Sequence, residues 1–109
     1  MAQKKIIWTE TAARQRRSIL DYWLQRNQSS TYPLKLLRLS NEKAEQIAAN
    51  PQLYKMADFP DTRVAAMGHF SMLYKISVDS IIITAFWDNR QNPEKLLALL
   101  KAQHGNENK

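Results

Sequence analysis

From Ile81 to Trp87 the chain carries an apolar side chain at every position except Thr84. Successive side chains of a β-strand point to opposite faces. A strand of this composition is apolar above and below, and both faces must be covered. Residues 81–87 are therefore expected to form a central strand, and the rest of the chain must supply neighbours and cover.

Lys4–Trp8 reads as a short first strand through Ile6, Ile7 and Trp8. Thr9 or Thr11 can cap a helix by accepting a backbone N–H, and Ala12, Ile19, Leu20 and Trp23 recur at helical spacing as its buried stripe. Residues 26–30 have no periodic apolar position and read as a turn. Ser30 or Thr31 then caps a second helix, with Pro33 tolerated in its first turn. Leu34, Leu37, Ala44, Ile47 and Ala48 form its inner stripe, and Asn50-Pro51 ends it. A short link between two amphipathic helices predicts an antiparallel helical hairpin. Residues 51–62 read as irregular, anchored by Tyr54 and Phe59.

Arg63–Met67 and Phe70–Ser77 follow as strands around a Gly68-His69 turn, with Phe70, Met72, Tyr74 and Ile76 sharing one face. Val78-Asp79-Ser80 turns the chain into the apolar run. Asn92-Pro93-Glu94 is a helix start: a cap, a first-turn proline, and an acid near the positive end of the helix dipole. Leu96, Leu97, Leu99 and Leu100 then cover more than one side of a short helix, which either docks firmly or offers its apolar side to a partner. The order β-α-α-β-β-β-α predicts an α+β fold: a small, mostly antiparallel sheet with the N-terminal helical hairpin on one face and a short C-terminal helix. Residues 1–103 are expected to form one domain and 104–109 a polar tail.

Composition removes several function classes. The 109 residues include no cysteine, which excludes disulfides, thiolate metal sites and a cysteine nucleophile. No apolar run approaches the ~20 residues of a membrane-spanning helix. Met1–Trp8 lacks the apolar stretch of a signal peptide, so a cytoplasmic location is expected. Walker, HExxH, GxSxG and GxGxxG motifs are missing, and no cofactor or metal is expected. The net charge is +6. Residues 1–50 hold nine basic and four acidic side chains, and residues 51–109 seven and six. Such a surface attracts phosphate or an acidic protein, and it also serves solubility alone.

The late signature Arg63-Val64, Phe70-Ser71-Met72-Leu73-Tyr74-Lys75-Ile76 and Ile81–Trp87 followed by Asp88-Asn89-Arg90-Gln91-Asn92-Pro93 resembles the RelE/ParE toxins, in particular their ParE-like plasmid-stabilisation branch. The resemblance covers roughly residues 4–100. It implies a bacterial growth-arresting toxin held inactive by a cognate antitoxin, whose acidic, partly disordered segment folds as it wraps the toxin. In the RelE branch such proteins cleave mRNA inside the ribosome; in the ParE branch they poison DNA gyrase and lack the nuclease residues.

The resemblance also directs attention to particular side chains. Arg63, Lys75 and Arg90 are the candidate catalytic cations of a metal-free nuclease, since cleavage needs charge stabilisation at phosphate. Arg63, Arg90 and Trp87 are the expected target-binding residues, Trp87 by stacking if exposed. Leu96, Leu97 and Leu100 are expected to meet the antitoxin. Against a nuclease, Ser71 stands where a phosphate-clamping arginine is implied, Ala65 or Ala66 where a lysine is, and Leu96 or Leu97 where a tyrosine is. Serine cannot make the bidentate cationic contact of arginine. The sequence therefore favours a gyrase-directed toxin over a ribosome-dependent mRNA endonuclease. His69 reads as a solvated turn residue, His104 as part of the tail, Trp8, Trp23 and Tyr74 as packing, and Arg14, Arg16 and Arg17 as a solvated helix face or a nucleic-acid contact.

Overall fold

Strand β1 spans Lys5–Trp8 and leads into helices α1 (Glu10–Asn27) and α2 (Thr31–Ala49). Four further strands follow, β2 (Lys55–Met56), β3 (Arg63–Met67), β4 (Phe70–Ile76) and β5 (Ser80–Asp88), and helix α3 (Pro93–Glu107) ends the fold. This computed structural model describes residues 3–107, residues 104–107 by their backbone alone. The strands form one sheet in the order β1-β5-β4-β3-β2, with β1 parallel to β5 and the other pairs antiparallel. The apolar run thus lies between β1 and β4, inside the sheet as its composition requires.

Local chemistry explains the boundaries. Thr9 accepts the N–H of Ala12 at 3.1 Å and caps α1, an interaction that contributes about 1 kcal/mol. Gln28, in the left-handed region at φ 50°, ends that helix. The Asn92 side chain accepts from the N–H of Glu94 at 2.9 Å and opens α3. Gly68, at φ 62°, turns β3 into β4 where an L side chain would be strained.

The two helices cover one face of the sheet. Ala12 of α1 and Leu36, Ala44, Ile47 and Ala48 of α2 pack on Phe70, Met72, Tyr74, Ile81, Ile83 and Phe86. Ala44, Ile47 and Ala48 are buried as expected, but the first turns of α2 differ from the expected stripe. Leu36 and Ser40 are buried, while Leu34 is 61 % exposed. Ser40 belongs to the stripe because the guanidinium of Arg16 reaches across from α1 to its Oγ at 3.0 Å and to Oδ1 of Asn41 at 2.7 Å, while lying 3.9 Å from the Trp8 ring centroid. A polar residue at an inner position was invisible without that partner.

The opposite face is covered by α3 and the loop before β3. Leu73, Ala85 and Leu100 are buried there, with Phe59, Val64 and Leu96 packed around them. One β-bulge divides the sides of β5. Leu73 pairs with Ala85 and Tyr74 with Ile83, so Thr84 is the extra residue. Its hydroxyl donates to the Leu73 carbonyl at 3.3 Å. The bulge moves the hairpin-facing set from Ile81 and Ile83 to Phe86, and both faces stay apolar across the shift.

Two expectations need correction. The stretch 51–62 is not wholly irregular: a 3₁₀ turn at Pro51–Leu53 precedes β2, which pairs Lys55 with Val64 and Met56 with Arg63. Two residues are too few for a readable alternation. The helical backbone of α3 also runs to Glu107, into the segment expected as a tail, whose last two positions lie outside the described residues together with the His104 side chain. Among the described residues, no helix is long and apolar enough to cross a membrane.

Candidate functional site

Strand β5 is longer than the strand beside it. The pairing with β1 ends at Trp8 opposite Ile83, and residues 84–88 continue past it. There α1 flanks β5, and the Gln15 side chain accepts the Phe86 N–H at 2.9 Å. The end of β5 consequently projects Asp88 and its successors against the C-terminal half of α1.

Arg90 forks back onto Asp88. Its Nε donates to Oδ1 at 2.9 Å and its Nη2 to Oδ2 at 2.8 Å, and its backbone N–H also donates to Oδ1 at 2.9 Å. This bidentate fit fixes the plane and direction of the guanidinium. The Arg90 hydrogen bonds hold the Asp88 carboxyl below the usual carboxylate range, against a smaller upward push from partial burial. Half of the Arg90 side chain remains exposed, so three-way contact with Asp88 leaves a surface for a ligand.

An aromatic group stands next to it. The Trp23 ring meets Tyr22 and Tyr32 edge-on, each at 5.2 Å between centroids. The guanidinium carbons of Arg90 and Arg26 lie 5.8 and 6.0 Å from the Trp23 centroid, within cation–π range. Arg26 also donates to the Tyr22 hydroxyl at 3.5 Å. Tyr22, Trp23, Arg26, Asp88 and Arg90 line an open groove of about 580 Å³ whose remaining walls are Ser18, Ile19 and Gln91. That size suits a few side chains or a small anionic group. Two guanidinium groups over aromatic faces can bind carboxylates or phosphates, and the exposed aromatic surface adds apolar contact.

The other expected site residues are placed elsewhere. Arg63 opens β3 opposite Tyr74, whereas Asp88 pairs with Phe70 at the far end of β4. Four residues of strand put these positions about 13 Å apart along β4, and Arg90 lies beyond Asp88. Arg63 and Lys75 line a separate shallow groove with Asp61. The side chain of Arg63 is drawn inward, donating to the Tyr54 carbonyl at 2.6 Å. The three cations do not converge, and the composite catalytic centre of Arg63, Lys75 and Arg90 is not formed. Trp87 is 8 % exposed and belongs to the packing rather than to a stacking surface. Leu100 is buried against Leu73 and Ala85, and Leu96 packs beside it; Leu97 alone of the expected antitoxin leucines keeps substantial exposure, at 38 %. Ser71 donates to Asn89 at 2.8 Å and is occupied with holding the turn after β5.

Trp23 and Arg26 were missed as site residues. The tryptophan fits the apolar stripe of α1, and the arginine falls in a stretch read as a turn. Their spacing of three places both on one helix face, which was the available signal. Arg14, Arg16 and Arg17 do not act as one patch, since Arg16 turns inward to Ser40.

Comparison with known proteins bears on this geometry. Residues 6–93 match the family model described as the ParE toxin of the type II toxin–antitoxin system, parDE. Among solved structures, the chromosomal ParDE toxin–antitoxin system from P. aeruginosa superposes with a TM-score of 0.68 at 19 % identity, covering 77 % of this chain and 94 % of that one. The toxin–antitoxin complex RelBE2 from Mycobacterium tuberculosis gives a TM-score of 0.59 at 17 % identity, covering 81 % and 93 %. No curated protein matches the sequence.

Proposed function

This chain belongs to the ParE toxin family of type II toxin–antitoxin systems, and from that premise we propose that it arrests growth by binding a macromolecular target, DNA gyrase in the first place, and is neutralised by a cognate antitoxin. The observation that carries the reading is the Arg90–Asp88 fork beside Trp23 and Arg26. It is a rigid, half-exposed cationic and aromatic surface suited to acidic side chains of a protein. Aromatic and arginine residues dominate the energetics of protein interfaces.

The same reading accounts for the opposite face. The groove under α3 presents Leu73, Leu96, Leu97 and Leu100, with Lys55 beside Asp58 at its rim. An apolar groove of that kind does not stabilise charge on a phosphate in flight. The separation of Arg63 from Arg90 also speaks against metal-free RNA cleavage. Binding to a protein needs only one cationic cluster, such as Arg26 of α1 with Arg90 just after β5.

Inducing the gene alone tests the proposal. Filamentation, broken DNA and an SOS response are expected on induction, and co-expression of the antitoxin should abolish them. Arg90→Ala should remove growth arrest while the variant still folds, with loss of stability no greater than about 1 kcal/mol for a half-exposed pair. Trimmed mRNAs with arrested translation would instead establish a nuclease. Growth unaffected by induction would overturn the toxin reading altogether.

A further inference from the structure

The arginine–tryptophan groove contains one carboxylate. Among its lining residues the guanidiniums of Arg26 and Arg90 are offset by Asp88 alone, so a single net positive charge remains. Both oxygens of Asp88 are engaged by the Nε–Nη2 edge of Arg90. Arg90 Nη1 takes no part in that fork, and half of the Arg90 side chain is exposed. The Asp88 side chain is only 14 % exposed, so its charge is fixed in the wall. Asp88 also borders the adjoining groove between α1 and α3, where Arg14 and Lys95 stand. A ligand that reaches these cations lies near this carboxylate. The fold itself does not ask for the charge. Oδ1 of Asp88 accepts the Arg90 N–H, and its carbonyl accepts the Gln91 N–H. Holding that turn requires an acceptor, which the oxygen of an asparagine side chain would supply equally well.

We infer that Asp88 sets the specificity of this groove, restricting it to a side-chain carboxylate of a protein and turning phosphates away. The inference rests on the protein-binding reading given above and adds the rule by which that surface selects its partner. A side-chain carboxylate brings one charge, which matches the balance of the groove, and it meets the guanidinium nitrogen that Asp88 leaves open. A nucleic acid brings a row of phosphates. The groove matches only one of them, and the next lies against Asp88. A fixed like charge disfavours the wrong partner without weakening the right one. The rings of Tyr22 and Trp23 then favour an acid flanked by an aromatic or aliphatic side chain. A chain of net charge +6 attracts nucleic acid in general, which gives a carboxylate at this surface something to exclude.

NMR titration of the isotope-labelled protein, read at the Nε resonances of Arg26 and Arg90, tests the rule with two probes: a capped glutamate–phenylalanine peptide and a short oligothymidine. In the native chain the peptide should shift both resonances, and oligothymidine at equal concentration should leave them in place. Asp88→Asn keeps an acceptor for the Arg90 N–H and removes the charge. The ratio of peptide affinity to oligothymidine affinity should then fall on the order of tenfold. Asp88→Glu retains the charge and should keep the native preference, which a merely structural role for Asp88 does not predict. Gln91→Lys adds a cation with Asp88 in place and should likewise admit oligothymidine, so the rule stays testable if Asp88→Asn folds poorly. The inference is overturned if neither probe moves the two arginines, if oligothymidine matches the peptide on the native chain, if the ratio is unchanged in Asp88→Asn and Gln91→Lys, or if Asp88→Glu behaves as Asp88→Asn does. Growth arrest on induction reports separately. A chain that arrests growth but shows no change of ratio loses the role of Asp88 and keeps the toxin assignment; a chain whose ratio shifts without growth arrest does the reverse.

Discussion

Single residues divide into those whose chemistry is spent inside the fold and those left available. Tyr74 is the clearest case of the first kind. Its ring is buried against Tyr54, and its hydroxyl donates to the Pro51 carbonyl. Burial pushes its pKa up to about 12, opposed by the nearby Arg63 charge. A tyrosine whose folded value is raised contributes stability that is complete below its unfolded value of about 10 and is lost as pH rises through about 12. Unfolding followed by urea between pH 9 and pH 12 should show that loss. Tyr74→Phe should cost about 1–2 kcal/mol at neutral pH through the orphaned carbonyl and should flatten the alkaline decline. Equal alkaline slopes for both proteins would remove Tyr74 as the cause. Arg90 is of the second kind, because Asp88 orients it without enclosing it.

At the scale of elements, α3 carries most of the difference between expectation and structure. Its leucines were expected to face the antitoxin, yet Leu96 and Leu100 close the second core against Leu73 and Ala85. Leucines at 96 and 100 are one helical turn apart and share a face, while Leu97 and Leu99 flank it. Leu100→Ala should therefore destabilise the protein by about 2–4 kcal/mol, with a cavity left under the helix. Leu97→Ala should change stability by less than about 0.5 kcal/mol. Chemical denaturation of the two variants separates them, and equal effects would mean that α3 does not dock through this face. Strand β4 was readable from the alternation of Phe70, Met72, Tyr74 and Ile76, and Gly68 marked the turn that separates it from β3. Strand β2 was unreadable because its partner β3, and not its own two residues, holds it in place. The second half of the α2 stripe, Ala44, Ile47 and Ala48, is buried as read, and only its first turns differ, where Leu36 and Ser40 replace Leu34 and Leu37, Ser40 being buried through Arg16 of another helix.

For the whole molecule, the net charge of +6 is a property of association more than of folding. The cations Arg14, Lys95, Arg26 and Arg90 lie along grooves that share a wall, and although Asp88 on that wall pairs with Arg90, the lining is basic on balance. Association with an acidic partner should slow steeply with salt, because screening shortens to ~8 Å at physiological ionic strength. Raising sodium chloride from 50 to 500 mM should lower the association rate on the order of tenfold or more and change the dissociation rate much less. A rate independent of salt would place the apolar contacts, and not the charge, in control of encounter. The sequence by itself determined the order of elements apart from β2, the interior place of residues 81–87 and the toxin family, because periodicity, turn residues and a doubly apolar strand act locally along the chain. Only the tertiary structure decided which cations share a surface. It set Arg90 beside Trp23 and Arg26, held Arg63 at the other end of the sheet, and turned half of the α3 leucines inward, since strand register and helix docking bring together residues whose distance in sequence carries no trace of their contact.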